Sequence, residues 1–90
     1  MDHGRFDIQI TPAAQKELDR LSRPVRTRID AAIIRLADNP RPHGVQKLQG
    51  TEEDTYRIRV GSYRVVYRIY DTELVVLIVR IGDRKDIYRP

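Results

Sequence analysis

Arg57, Arg59, Arg64 and Arg68 fall in one stretch, 56–70, that holds no acidic residue. Apolar Tyr56, Ile58 and Val60, then Tyr63, Val65 and Tyr67, alternate with them. A period of two means strands with one buried face. Between the strands stands Gly61-Ser62, a Gly-X pair suited to a type II′ turn. A two-residue turn sets Val60 opposite Tyr63, so Ile58 meets Val65 and Tyr56 meets Tyr67 on the apolar side. The arginines take the other side, with Arg59 directly across from Arg64. Like charges opposed across a sheet destabilise it, and a bound anion reverses the sign of that term. Guanidinium is a planar, permanently charged fork that grips phosphate at two points. The constellation therefore suits electrostatic stabilisation of a phosphate. The plainer alternative is a solvent-facing strand whose arginine stems cover apolar neighbours. A one-residue slip would turn one strand's arginines to the core face and bury their charge, which disfavours it.

Those strands need a layer to pack on, and the rest of the chain supplies it. Phe6, Ile8 and Ile10 alternate with Asp7 and Gln9 as a short first strand. Thr11-Pro12 follows as an N-cap with proline at the first helical position. Ala14, Leu18 and Leu21 lie on one helical stripe. Ser22-Arg23-Pro24 restarts the helix, and Val25, Ile29, Ala32, Ile33 and Leu36 share a face until Asn39-Pro40 stops it. Two helices joined so tightly are expected as an antiparallel hairpin. Residues 41–54 read as a loop, rich in proline, glycine and polar residues. After the arginine hairpin and an Asp71-Thr72-Glu73 turn, 74–81 is apolar through its middle, as in a central strand covered on both sides. Gly82 is expected to end it. The fold class is α+β: an N-terminal strand, then a helical hairpin on one face of a mainly antiparallel sheet, in the order β-α-α-β-β-β.

Ninety residues make one domain, 1–90, with a single core. No apolar run is long enough to span a membrane and the first residues do not resemble a signal peptide. The absence of cysteine excludes disulfides, thiolate metal sites and a cysteine nucleophile, and fits a cytoplasmic home. Lysine and arginine number 17 against 13 acids, a net charge of +4, and all but Lys16, Lys47 and Lys85 are arginine. That balance favours polyanionic partners. His3 and His43 are too isolated to suggest a metal site. Glu52, Glu53 and Asp54 read as a solvated acidic turn, and Arg20, Arg23, Arg26 and Arg28 as a solvated helix face beside Asp19 and Asp30.

The run 56–69, YRIRVGSYRVVYRI, and its continuation through Leu74-Val75-Val76-Leu77 to Ile81-Gly82-Asp83-Arg84-Lys85-Asp86-Ile87-Tyr88 resemble the RelE/ParE superfamily of bacterial toxins. Lys47-Leu48 and the paired helices fit as well, so the likeness spans nearly the whole chain. The RelE branch implies a ribosome-dependent endoribonuclease that cuts mRNA in the A site, without metal or cofactor. It also implies neutralisation by a cognate RelB-like antitoxin. The implied partners are the 70S ribosome, mRNA and the antitoxin, with operator DNA reached only through the antitoxin complex and no membrane. The ParE branch, the alternative, implies a DNA gyrase inhibitor without nuclease activity. A decayed toxin that keeps only its antitoxin contacts is a third reading.

Carried over by motif position, the catalytic set is Arg57, Arg59, Arg64, Arg84 and Tyr88. Lys47, Arg68, Lys85 and Arg89 are the implied RNA contacts. The chemistry is attack of a ribose 2′-hydroxyl on the adjacent phosphate, which needs developing charge stabilised and a proton removed. Arginine stands at 57 and 59 where some members have lysine, and Asp83 where many have histidine. Arginine does not exchange protons in the working range, so proton transfer is expected to fall to Tyr88, its phenol lowered by guanidinium neighbours. Val66, Val75, Leu77 and Val79 are expected beside the arginines as apolar surface that an antitoxin segment or the chain's own tail covers.

Overall fold

Proline and the β-branched runs divide the chain as their local preferences dictate, and the computed structural model describes residues 5–48 and 54–83. β1 is Asp7–Ile10. Pro12 then opens α1 (Pro12–Asp19), with the Thr11 hydroxyl accepting from the Ala14 amide at 3.1 Å. α2 (Arg23–Asp38) follows with Pro24 in its first turn and ends at Asn39, ahead of Pro40. A two-residue strand, β2 (Gln46–Lys47), precedes the long hairpin β3 (Thr55–Val60) and β4 (Tyr63–Tyr70), and β5 (Val75–Asp83) closes the described chain.

The sheet runs β1-β5-β4-β3-β2, parallel only between β1 and β5. This is the expected α+β class with one strand more than expected. β2 lies inside the segment read as loop because two residues carry no detectable period; it is held by pairing of Gln46 with Arg57 and Lys47 with Tyr56. Ala14 and Leu18 from α1 and Ile29, Ile33 and Leu36 from α2 pack on Tyr56, Val65, Tyr67, Ile69, Val76, Ile78 and Ile81. Both helices therefore cover one face of the sheet, and the apolar stripes read from the sequence are the core. Among the described residues no helix is long and apolar enough to cross a membrane.

The hairpin register is the expected one. Val60 pairs with Tyr63, Arg59 with Arg64, Ile58 with Val65 and Tyr56 with Tyr67. Gly61 takes φ +63° while Ser62 does not enter positive φ, as a type II′ turn requires. The Arg28 guanidinium lies over Gly61, where a Cβ would come within 3.2 Å of Nη2.

β5 departs from expectation in three ways. Leu74 belongs to the turn, at φ +56°, rather than to the strand. The strand continues through Gly82 to Asp83, because Arg64 and Tyr63 of β4 extend far enough to pair with them. Its register shifts between Val66 and Tyr67: Tyr67 faces Ile78 but Val66 faces Arg80, leaving Val79 as an extra residue. Unbroken alternation from Ile78 would send Arg80 into the core and Ile81 out. The bulge corrects the parity, so Ile81 is buried beside Val65 and Arg80 stays exposed.

That bulge lies where β1 ends and β5 loses its parallel partner. α1 takes over the exposed edge. The Thr11 amide donates to the Ile78 carbonyl at 3.0 Å and its hydroxyl reaches the Val79 carbonyl at 3.4 Å. Glu17 Oε1 accepts from the Ile81 amide at 2.7 Å, and Oε2 accepts from Arg80 Nε at 3.1 Å. A buried backbone N–H left without such an acceptor is costly.

Candidate functional site

The face of the sheet away from the helices is built from alternate residues of β3, β4 and β5. Arg57 and Arg59 stand on β3, Arg64, Val66 and Arg68 on β4, and Val75, Leu77, Arg80 and Gly82 opposite them on β5. β4 is the middle strand of five, which makes Arg64 the innermost cation at 4% exposure. Arg59 lies across from it on one side and Gly82 on the other. Gly82 contributes no side chain on that flank. Arg57 is 9% exposed, Arg68 is half-buried, and Arg59 is exposed at the rim. The four arginines therefore share a face, as expected, but at graded depths.

The reason for Arg59's exposure is the shortness of β2. It covers β3 only at Tyr56 and Arg57. Beyond them β3 borders a cleft of about 390 Å³ against α2, lined by Ala32, Arg35, Leu36, His43, Ile58 and Arg59. Arg59 thus belongs to both the arginine face and this cleft. Val66 is buried and Val75 and Leu77 half-buried on the arginine face; Val79, expected with them, is the bulge residue.

Gln46, which the sequence did not single out, pairs with Arg57 in register, and its Oε1 accepts from Arg57 Nη2. Lys47 pairs with Tyr56 instead, and its ammonium is 3.2 Å from Asp54. The alternation of the strand turns Lys47 away from Gln46 and Arg57, so the structure does not bring it to the arginine face. Arg84, Lys85, Tyr88 and Arg89 lie outside the described residues, as do His3, Glu52 and Glu53.

The segment leading into β2 is pinned at its start. The Tyr67 hydroxyl, deep in the core, donates to the Pro40 carbonyl at 2.7 Å, and burial pushes its pKa well above the ordinary phenol range. Arg41 forks onto Asp71 through Nη1 at 3.1 Å and Nη2 at 2.9 Å, and its Nε donates to the Tyr56 hydroxyl at 3.3 Å. Its guanidinium also lies 5.3 Å from the Tyr56 ring centre. The hydrogen bond to Asp71 raises the pKa of Arg41, and the same contact holds the Asp71 carboxyl below its ordinary value. On the helices, Arg26 is 3.0 Å from Asp19 and 3.6 Å from Asp30, which agrees with a solvated, internally paired face.

Three comparisons with known proteins bear on this arrangement. Residues 8–88 match the family described as ParE toxin of type II toxin-antitoxin system, parDE. The chain is 36% identical over 88 residues to toxin RelG of Mycobacterium tuberculosis, covering 93% of this chain and 97% of the relative. It is 32% identical over 87 residues to mRNA interferase toxin RelE of Escherichia coli K12, covering 92% and 90%. A chain of the archaeal RelE–RelB complex from Pyrococcus horikoshii superposes with a TM-score of 0.79 at 30% identity, covering 89% of this chain and 96% of that one.

Proposed function

This chain belongs to the RelE/ParE superfamily of type II toxin–antitoxin toxins, on its RelE-like branch, and we propose that it is a ribosome-dependent endoribonuclease acting on mRNA in the A site. The observation that carries this reading is the setting of Arg64: 4% exposed on the central strand, between Arg59 and the bare Gly82, with Arg57 on the same face. A fixed, desolvated cation is worth most where charge develops in a transition state. Here that charge develops on the non-bridging oxygens of the phosphate attacked by the neighbouring 2′-hydroxyl and on the departing 5′-oxygen, and the products are a 2′,3′-cyclic phosphate and a free 5′-hydroxyl. Arg64 and Arg57 stabilise the phosphorane from below, and Arg59 and Arg68 hold flanking phosphates at the rim. Arg84 adds a cation, Tyr88 exchanges the proton, and Lys85 and Arg89 extend the RNA contact. Neither β3 nor β4 carries a histidine, a lysine or a carboxylate. Substrate alignment by the ribosome, and neutralisation by a RelB-like antitoxin in the cytoplasm, complete the proposal; the superposition on a chain of a RelE–RelB complex supports the partner.

Primer extension on a reporter mRNA in a reconstituted bacterial translation system tests it, with wild type, Arg64→Ala and Tyr88→Phe compared. Codon-phased cuts from wild type that fade in both variants are expected. Intact mRNA together with DNA breaks trapped on gyrase would instead establish the gyrase-inhibitor reading, which the ParE family match favours.

A further inference from the structure

We propose that the groove between α2 and the edge of β3 carries the RNA strand away from the arginine face, through phosphate contacts with Arg28 and Arg35. The identity of the ligand rests on the nuclease reading, which the groove extends beyond the reacting phosphate. Two cavities make up the groove: the cleft of about 390 Å³ that borders Ile58, and a second of about 450 Å³ that reaches Gly61 at the β3–β4 turn. Both are lined by Ala32, Arg35 and Arg59, so they adjoin, and Arg59 joins them to the arginine face at the rim. Arg28 lines the far end.

α2 sorts its charges by face. Asp30 and Asp38 lie on the sides where Arg26 and Arg5 meet them. Arg28, Ala31, Ala32 and Arg35 fall at the spacings of one helical stripe, and that stripe lines the groove. Arg28, Arg35 and Arg59 are exposed, and among the described residues none of the three has an ion pair or a side-chain hydrogen bond. No described carboxylate lines either cavity. The two helix arginines stand two turns apart, about 10 Å along the axis, and so offer two forks in file. Such forks match phosphate oxygens, and a basic groove that tracks the backbone is how single strands are held without regard to sequence. His43, at the opposite end, supplies a ring on which a base can stack.

The rival occupant is a partner peptide that adds a strand to β3, and the register argues against it. A two-residue turn makes Val60 and Tyr63 a hydrogen-bonded pair, so the backbone groups of Ile58 and Val60 face β4 while those of Thr55, Arg57 and Arg59 face outward. Gln46 pairs with Arg57, and the Leu48 amide donates to the Thr55 carbonyl at 2.8 Å. Of the described edge Arg59 alone remains, too little for main-chain pairing to supply affinity. A polyanion needs no such pairing.

The probe is a fluorescein-labelled 2′-O-methyl oligouridylate of about a dozen nucleotides, within the span that a single-strand site covers and with the attacking hydroxyl blocked. Anisotropy across a salt series compares wild type with Arg28→Gln/Arg35→Gln. Arg20→Gln/Arg23→Gln is the control, an equal change of charge at exposed positions outside the groove. The groove predicts about tenfold weaker binding for the first double variant and a salt slope smaller by about 1.4, at about 0.7 per phosphate contact. The control should stay within about twofold of wild type, because distant exposed charges are screened. Arg28→Lys/Arg35→Lys should restore the slope by restoring the charge, which a role of Arg28 confined to packing over Gly61 would not. Equal losses in the two glutamine variants, no binding by wild type at low salt, or tighter binding of an oligoglutamate of equal charge would each overturn the proposal. Cleavage is scored separately in the translation system. Cuts without a binding difference keep the nuclease and remove the groove; a binding difference without cuts keeps the groove and removes the nuclease.

Discussion

On the helical side of the molecule several arginines sit in surface ion pairs: Arg26 with Asp19 and Asp30, Arg5 with Asp38 at 3.8 Å, and Arg41 with Asp71 at the rim. Across the sheet, Arg57 and Arg64 are buried on two strands that carry no acidic residue. An exposed arginine beside an acid is inexpensive and contributes little, because water screens both partners. A buried guanidinium is expensive, and the sheet holds two of them next to each other with Arg59 opposite Arg64. Four arginines clustered on one sheet face, with Arg59 opposed to Arg64, suit a ligand of opposite charge better than they suit folding alone. The difference in depth between the two regions is the basis of the proposed site.

The contrast can be broken most directly at its extremes. Arg64→Ala should lower mRNA cleavage by about 10²–10³-fold, the scale of losing one preorganised donor at a developing oxyanion. Arg26→Ala, on the paired surface, should leave cleavage within about twofold, consistent with the small worth of exposed pairs. Equal losses from the two would erase the distinction.

Stability sharpens it next. Glu17→Ala strands the Ile81 amide at the bulge and should cost about 1–3 kcal/mol in urea unfolding. Glu17→Gln, which keeps an acceptor, should recover part of that. Tyr67→Phe should cost about 1 kcal/mol through the lost bond to Pro40. Burial raises the Tyr67 phenol above its ordinary 10.0, so the stability it contributes is present below pH 10. It is lost as pH rises further, where the unfolded chain ionises first. Phenylalanine should therefore flatten the alkaline limb of a stability–pH curve.

The smallest effects belong to the rim. Asp71 is held below its ordinary 3.8 by Arg41, so its contribution is present above that pH and lost as pH falls through the depressed value. The difference in urea midpoint between wild type and Asp71→Asn should shrink to nothing on acidification. Leu74 sits at φ +56°, a conformation that asparagine tolerates better. Leu74→Asn should raise the midpoint slightly and leave cleavage unchanged.

Much of this was legible in residue order. The alternation through 56–70 with Gly61-Ser62 between its halves set the hairpin register, and with it the arginine face, because a two-residue turn admits one pairing. Thr11-Pro12 and Ser22-Arg23-Pro24 marked both helix starts. What escaped reading escaped for a common cause. β2 is too short to show a period, so Gln46 had no local signal. The bulge at Val79 carries no glycine or proline to announce it. Its only trace is that Ile78 and Ile81, three apart, both belong in the core, a mismatch that becomes a bulge only once Tyr67 and Val65 are known to face them.

Sequence by itself determined the class of fold, the family resemblance, the core stripes and the identity of the clustered cations, since each follows from contacts within a few residues or across one tight turn. Tertiary structure alone decided their depths. Arg64 is innermost because β4 became the central strand, Arg59 is a rim residue because β2 stops short, and Glu17 became an edge cap because β1 ends before β5 does. Burial is set by which strands lie beside which. That order depends on pairings between residues far apart in the chain, which local patterning does not encode.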